Sequence, residues 1–210
     1  MPLLSLPQLP TKCPSNEPRI SIWHATETVD ELLELLPPHA TTTAEAFGIY
    51  KNTARQKEVL AEHILLHQML GPDATLLHTP HGQPRLSDSA LNISISHSHS
   101  YVAVGLATRP LGLDIETWGP RALRLQTRFL TPDEISLPHP NPERRAVSLW
   151  AAKEAVYKHF SNPALANFLS TIRISQTATR LQATAIPLNE SIGLEIKEFE
   201  PFTLAYTQPL

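Results

Sequence analysis

The sequence predicts an α+β protein of two lobes, each a small, mainly antiparallel sheet packed with helices. Three observations lead there. Apolar residues at helical spacing, opened by capping sequences, are interleaved with short stretches of period-two alternation. The pattern stops near Ala107 and begins again after Arg109-Pro110. Twenty prolines against seven glycines punctuate the chain with rigid turns, and proline usually marks an element boundary. The predicted division is a flexible arm over 1–18, a first lobe over 19–108 and a second over 109–210.

In the first lobe, Arg19 to His24 alternates Ile20 and Ile22 with Ser21 and Trp23, an opening strand. Thr28-Val29-Asp30-Glu31 is a capping box, followed by Leu32, Leu33, Leu35 and Leu36 until Pro37-Pro38 stops them. A second capping box, Thr53-Ala54-Arg55-Gln56, opens a longer helix that buries Val59, Leu60, Ile64, Leu66 and Leu70 and closes at Gly71-Pro72. Strands are expected over 75–78, 91–96 and 101–107, with a turn at His81-Gly82-Gln83-Pro84 before the last two.

In the second lobe, a strand ends at Glu116, and 120–129 reads as a short basic helix or irregular segment. Thr131-Pro132-Asp133-Glu134 starts a helix, with proline at the first helical position and acids in the first turn. Asn141-Pro142-Glu143 starts the longest one, which runs to Phe160 before Ser161-Asn162-Pro163. Four tail strands are expected over 171–175, 180–186, 193–199 and 202–206.

Composition narrows the function classes. With 41% hydrophobic and 18% charged residues, the chain is ordinary globular material. A net charge of −3 gives no bulk electrostatic case for nucleic acid, although local basic clusters suit a small phosphorylated ligand. The single Cys13 allows neither a disulfide framework nor a thiolate metal cage, which fits a reducing cytoplasm. Residues 1–12 alternate Leu and Pro without the layout of a signal peptide, and no apolar run approaches the roughly 20 residues of a membrane span.

Chemistry concentrates in two stretches. In Leu111-Gly112-Leu113-Asp114-Ile115-Glu116, strand alternation puts Asp114 and Glu116 on one face. Paired carboxylates repel unless a positive group sits between them, and a hard cation such as Mg²⁺ suits their oxygens. The bland reading is an edge strand with two solvated acids. In Trp150-Ala151-Ala152-Lys153-Glu154-Ala155-Val156-Tyr157-Lys158, residues Trp150, Glu154 and Lys158 share one helical stripe. Here the bland reading is an i,i+4 Glu154–Lys158 pair, worth a few tenths of a kcal/mol. A tryptophan on that stripe argues against a solvated face, and a third carboxylate facing Asp114 and Glu116 would complete a Mg²⁺ site open to phosphate oxygens. A further stretch, Ile93-Ser94-Ile95-Ser96-His97-Ser98, places His97 where an apolar strand ends, among small hydroxyls that suit a phosphate.

Together with Gly82-Gln83-Pro84, these stretches match in order and spacing the motifs of the 4′-phosphopantetheinyl transferase superfamily, and the chain resembles its long single-chain type. Phe129-Leu130-Thr131-Pro132-Asp133-Glu134 is similar to the segment such enzymes carry between their acidic motifs. The resemblance implies that family's fold, two pseudo-symmetric lobes with coenzyme A between them. It implies transfer of 4′-phosphopantetheine from coenzyme A to a serine of an acyl or peptidyl carrier protein, with release of 3′,5′-ADP, by a cytoplasmic monomer that uses neither nucleic acid nor membrane. By the same resemblance Asp114, Glu116 and Glu154 would hold Mg²⁺, with Mn²⁺ as an alternative ion. Glu154 would be the general base, directly or through a water; Lys158 would neutralise or protonate the leaving phosphate, with Lys153 a second candidate for pyrophosphate contact. Arg55, His97 and Ser96 would meet the 3′-phosphate, and Gln83 and Pro84 the adenine. Gln83 departs from the family's basic residue at that turn, with Arg85 or Lys57 as substitutes, and no second arginine lies near Glu62-His63. Two other readings keep the same residues: a Mg²⁺-dependent phosphoester or pyrophosphate hydrolase, and a catalytically silent binding homologue.

Overall fold

The computed structural model describes residues 3–4, 17–37, 50–87, 89–165, 167–178 and 180–210. The chain forms two compact units, Met1–Arg109 and Pro110–Leu210, and the architecture is α+β.

The first unit contains β1 (Leu3–Leu4), β2 (Arg19–His24), α1 (Val29–Glu34), α2 (Thr53–Leu70), β3 (Leu76–His78), β4 (Pro84–Leu86), β5 (Asn92–Ser98) and β6 (Tyr101–Ala107). Its sheet runs β1-β2-β6-β5, antiparallel throughout, and β3 pairs with β4 as a separate hairpin. Strand β6 is buried along its whole length, as a central strand should be. Leu60, Ile64 and Leu65 of α2 pack with Trp23, Val102 and Val104 in the core of this unit. Each such side chain contributes roughly 2 kcal/mol by leaving water.

Several expectations shift here. The capping box at Thr28 forms as read, but α1 ends at Glu34 and leaves Leu35 half exposed. Helix α2 is capped by Asn52, whose side chain accepts from the Ala54 amide, so Thr53 is the first helical residue and not the cap. The turn read at 81–84 leads into β4, because an edge strand tolerates the missing amide of Pro84. Leu3 and Leu4, assigned to a flexible arm, pair with Trp23 and Ile22 of β2. Cys13 and the rest of that arm up to residue 16 lie outside the described residues.

The second unit contains β7 (Leu113–Thr117), α3 (Pro120–Leu125), α4 (Pro132–Ile135), α5 (Pro142–Phe160), α6 (Phe168–Thr171), β8 (Ile172–Gln176), β9 (Leu181–Ala185), β10 (Glu190–Phe199) and β11 (Phe202–Gln208). Its antiparallel sheet runs β7-β11-β10-β9-β8, so the last strand in sequence inserts beside the first. Helix α5 is capped at Asn141 and lays Ala151, Ala152 and Ala155 against the sheet. Small residues there let the helix approach closely. The segment between β7 and α5 is α3, a 3-10 turn at Gln126–Arg128, and α4, which starts at Thr131 as read and there forms a capping box with Glu134.

Candidate active site

In the second unit, among the described residues, β7 pairs with β11 alone, and α5 packs against it. Alternation along β7 buries Leu113 and Ile115 completely and turns Asp114 and Glu116 to the other face. The helix stripe read from sequence meets that face. Trp150 donates its indole N–H to Glu116 Oε1 at 3.0 Å, and Lys158 Nζ donates to Asp114 Oδ1 at 2.7 Å. Lys158 also reaches the Leu113 carbonyl at 3.1 Å, so its partner is the strand and not Glu154.

Glu154 lies between those two anchors on the stripe. Among the described residues its carboxylate forms no hydrogen bond or ion pair. Burial first, and then the negative charges of Asp114 and Glu116, push its carboxyl up to about 7, while Lys158 pulls the other way. The three acids therefore feel one another, as the sequence reading requires. They do not form a finished coordination group: among the described residues no cluster of three or more His, Cys, Asp or Glu is placed to hold a metal ion. Lys158 on Asp114 and Trp150 on Glu116 account for how two of the acids are held. As a donor set, three mutually repelling carboxylates fit a hard divalent cation.

A glycine sets the separation of strand and helix. A Cβ on Gly112 would lie 1.7 Å from the Ala155 carbonyl oxygen and 2.7 Å from the His159 nitrogen. No side chain fits there. The Gly112 amide donates to Thr207 Oγ1, and its carbonyl accepts from the Thr207 amide, each at 2.9 Å.

Lys153 is not brought to the acids. It is 0% exposed, and its ammonium donates to the Phe129 carbonyl at 2.7 Å, the Ile172 carbonyl at 2.9 Å and Glu134 Oε2 at 3.0 Å. Burial pushes its pKa down, and Glu134 partly restores it. Glu134 also accepts from the Thr131 and Ile174 amides, so one buried ion pair ties α4, α5 and β8 together. Adjacent helical residues diverge by about 100°, which separates Lys153 from Glu154. The pyrophosphate contact read for Lys153 is corrected to a structural one.

In the first unit Arg55 and His97 do meet: Arg55 Nη1 lies 3.0 Å from His97 Nε2. The same Nη1 donates to Glu58 Oε2 at 2.9 Å and Glu62 Oε1 at 3.2 Å, and Glu58 Oε1 lies 3.4 Å from His97 Nδ1. Glu62 is only 4% exposed, and burial pushes its carboxyl up to about 7 against the pull of Arg55. Neither acid was read as part of the site, although both sit at i+3 and i+7 from Arg55 on one helix face. Ser96 is buried while His97 is exposed, so strand alternation puts them on opposite faces of β5. Gln83 follows Gly82, whose φ of 80° suits glycine; the Gln83 carbonyl accepts from the Thr79 amide, and the Gln83 amide donates to Thr79 Oγ1; Pro84 opens β4.

Residues 110–206 match the model of the 4′-phosphopantetheinyl transferase superfamily. Over 145 residues the chain is 28% identical to the 4′-phosphopantetheinyl transferase psf-1 of Bacillus pumilus, covering 64% of this chain and 62% of that protein. Over 79 residues it is 32% identical to a 4′-phosphopantetheinyl transferase of Bacillus subtilis, covering 36% of this chain and 34% of that one. The chain thus spans about three fifths of the first relative's length and a third of the second's. These matches bear out the superfamily read from the motifs, a family of transferases, and the α+β fold accords with it.

Proposed function

We propose that this chain, whose second unit is a domain of the 4′-phosphopantetheinyl transferase superfamily, transfers 4′-phosphopantetheine from coenzyme A to a serine of an acyl or peptidyl carrier protein. The serine oxygen forms a bond to the β-phosphorus, the bond to 3′,5′-ADP breaks, and the hydroxyl proton passes to a base. What supports this reading is the electrostatics of the matched unit, where the charges of Asp114 and Glu116 raise the cost of charging Glu154. A carboxyl held near neutrality, half-buried and without a hydrogen-bond or ion-pair partner among the described residues, suits proton transfer from an incoming hydroxyl. Lys158, on the same face, supplies positive charge toward the 5′-phosphate oxygens of the departing 3′,5′-ADP. Mg²⁺, taken by Asp114, Glu116 and Glu154, would add neutralisation of the diphosphate. Arg55 and His97 of the first unit are the groups proposed for the 3′-phosphate. No helix among the described residues is long and apolar enough to cross a membrane.

The test is to incubate the chain with apo carrier protein, coenzyme A and Mg²⁺ and weigh the carrier. A phosphopantetheine mass increment is expected. No increment on any of several carriers would overturn the reading, and coenzyme A cleaved without a carrier would favour a hydrolase.

Two smaller effects are expected. A proton competes with a cation for Glu154, whose carboxyl is raised to about 7, so it is increasingly protonated as pH falls below that. The Mg²⁺ concentration for half-maximal transfer should therefore rise on going from pH 8 to pH 6, read from titrations at each pH. Glu58 competes with phosphate for Arg55 and His97. Glu58→Gln should lower the KM for coenzyme A by about two- to fivefold, the scale of one partly exposed ion pair. The KM for 3′-dephospho-coenzyme A should stay put, which distinguishes phosphate competition from a general change in shape.

A further inference from the structure

One pair of side chains in the first unit has no part in the chemistry of the acids. His63 and His67 stand four residues apart on α2, so both imidazoles emerge on one face, one turn above the other. Their ring centroids are 6.2 Å apart, with the planes tilted by 40°. A metal–imidazole bond of about 2.0–2.1 Å places a ring centre roughly 3 Å from the ion, so two rings on one ion lie about 5–6 Å apart. A small turn about the side-chain bonds closes the difference.

His67 is oriented from behind. Its Nδ1 lies 3.4 Å from the Gly71 carbonyl oxygen, which can only accept, so Nδ1 carries the proton and the neutral ring keeps its lone pair on Nε2. That Nε2 is buried and has no hydrogen-bond partner among the described residues. Buried polar atoms are nearly always satisfied, so a lone pair left over beside a second imidazole calls for a partner. A carbonyl behind one nitrogen and a lone pair on the other is how metal-binding histidines are commonly set. His63 is in the matching state: burial first, and then the charges of His67 and His78, push its pKa down to about 4. A metal takes imidazole in the neutral form. His67 also lies in the last turn of α2, where the negative end of the helix dipole favours a cation.

His63 feels the charge of His78 in β3, but His78 is not placed as a third ligand: among the described residues no cluster of three or more His, Cys, Asp or Glu could hold a metal ion. Two nitrogens without a carboxylate select the kind of ion. Mg²⁺ demands oxygen ligands, whereas Zn²⁺, Cu²⁺ and Ni²⁺ take imidazole. We propose that His63 and His67 form a two-imidazole site for a transition-metal dication of the Zn²⁺ class, its other positions left to water or an anion. A bound ion ties two successive turns of α2 together. The site stands or falls independently of the transferase reading.

The test titrates the full chain with Zn²⁺ alone by calorimetry, in wild type, His63→Gln and His67→Gln. The exposed His81 supplies a control, His81→Asn, and circular dichroism checks the fold. Wild type should bind one equivalent of Zn²⁺ at least about tenfold more tightly than either glutamine variant, the least that disturbing a metal site commonly costs. His81→Asn should match wild type. One equivalent of Cu²⁺ should show electron paramagnetic coupling to two imidazole nitrogens in wild type and to one in each glutamine variant. Equal Zn²⁺ affinity in wild type and both glutamine variants, or an equal loss in His81→Asn, overturns the site and leaves adventitious binding by surface histidines. If one glutamine variant fails to fold the other decides, and if both fail the wild-type Cu²⁺ spectrum decides. No carrier or coenzyme enters the measurement, so a failed loading assay does not bear on it.

Discussion

Glu154→Gln should lower carrier loading by about 10³-fold, the scale of losing a positioned acid–base group or a charge that stabilises the transition state. The substitution is nearly isosteric, and no described hydrogen bond is broken by it. Stability should move the other way. The Glu154 carboxyl is raised from 4.5 to about 7 by burial and by Asp114 and Glu116, so keeping it charged above pH 7 opposes folding by on the order of 3 kcal/mol. The sign follows from linkage. The folded state holds this proton more tightly than the unfolded chain, so the penalty is absent below about pH 4.5 and complete above about pH 7. Gln carries no charge and escapes it. Thermal unfolding at pH 8 should therefore occur at an equal or higher temperature in the variant, while loading collapses. A variant that keeps loading within tenfold of wild type would show that Glu154 is not the group on which transfer depends.

Lys153→Met should produce the largest loss of stability. Methionine fills much of the same volume, but it leaves the Glu134 carboxylate buried at 1% exposure without its cation. Breaking a buried pair from one side costs about 3–5 kcal/mol, against near neutrality when both charges are removed. The Phe129 and Ile172 carbonyls lose a donor as well. Lys153→Met/Glu134→Gln should recover part of the loss, because Gln can still accept from the Ile174 amide and brings no charge. A denaturant titration of the two singles and the double measures this coupling, with each substitution read in the full chain. Equal midpoints for wild type and Lys153→Met would mean that the buried pair contributes nothing. In that variant the KM for coenzyme A in the surviving folded fraction should hold, because Lys153 does not face the acids.

Much of this was legible in the sequence, for physical reasons specific to each element. Asp114 and Glu116 share a face because strand parity is strict, and Trp150, Glu154 and Lys158 share another because helical spacing is. Those periods survive folding unchanged, and so do the helix starts at Asn141 and Thr131 and the capping box at Thr28. Lys153 was misplaced because adjacency in sequence was allowed to stand for adjacency in space, where the same helical period argues for divergence. Glu58 and Glu62 were missed for a different reason. Acids on a helix read as solvated by default, and the burial of Glu62 arises from packing of α2 within its own unit, which no local pattern encodes. Ser96 failed on parity, which was available: if His97 points one way, its neighbour points the other. Strand β1 pairs through backbone groups that carry no sequence signal at all.

Gly112 gives the acid site a property that side chains could not. It lies two positions before Asp114, and it touches the carbonyl of the residue after Glu154, main chain against main chain. Strand and helix are therefore braced on atoms without rotamers, so the backbones from which Asp114 and Glu154 extend are spaced by main-chain contact alone. Side chains can change rotamer to absorb a local shift, but two main chains in contact cannot. The spacing of this strand and helix begins with the absence of one methyl group.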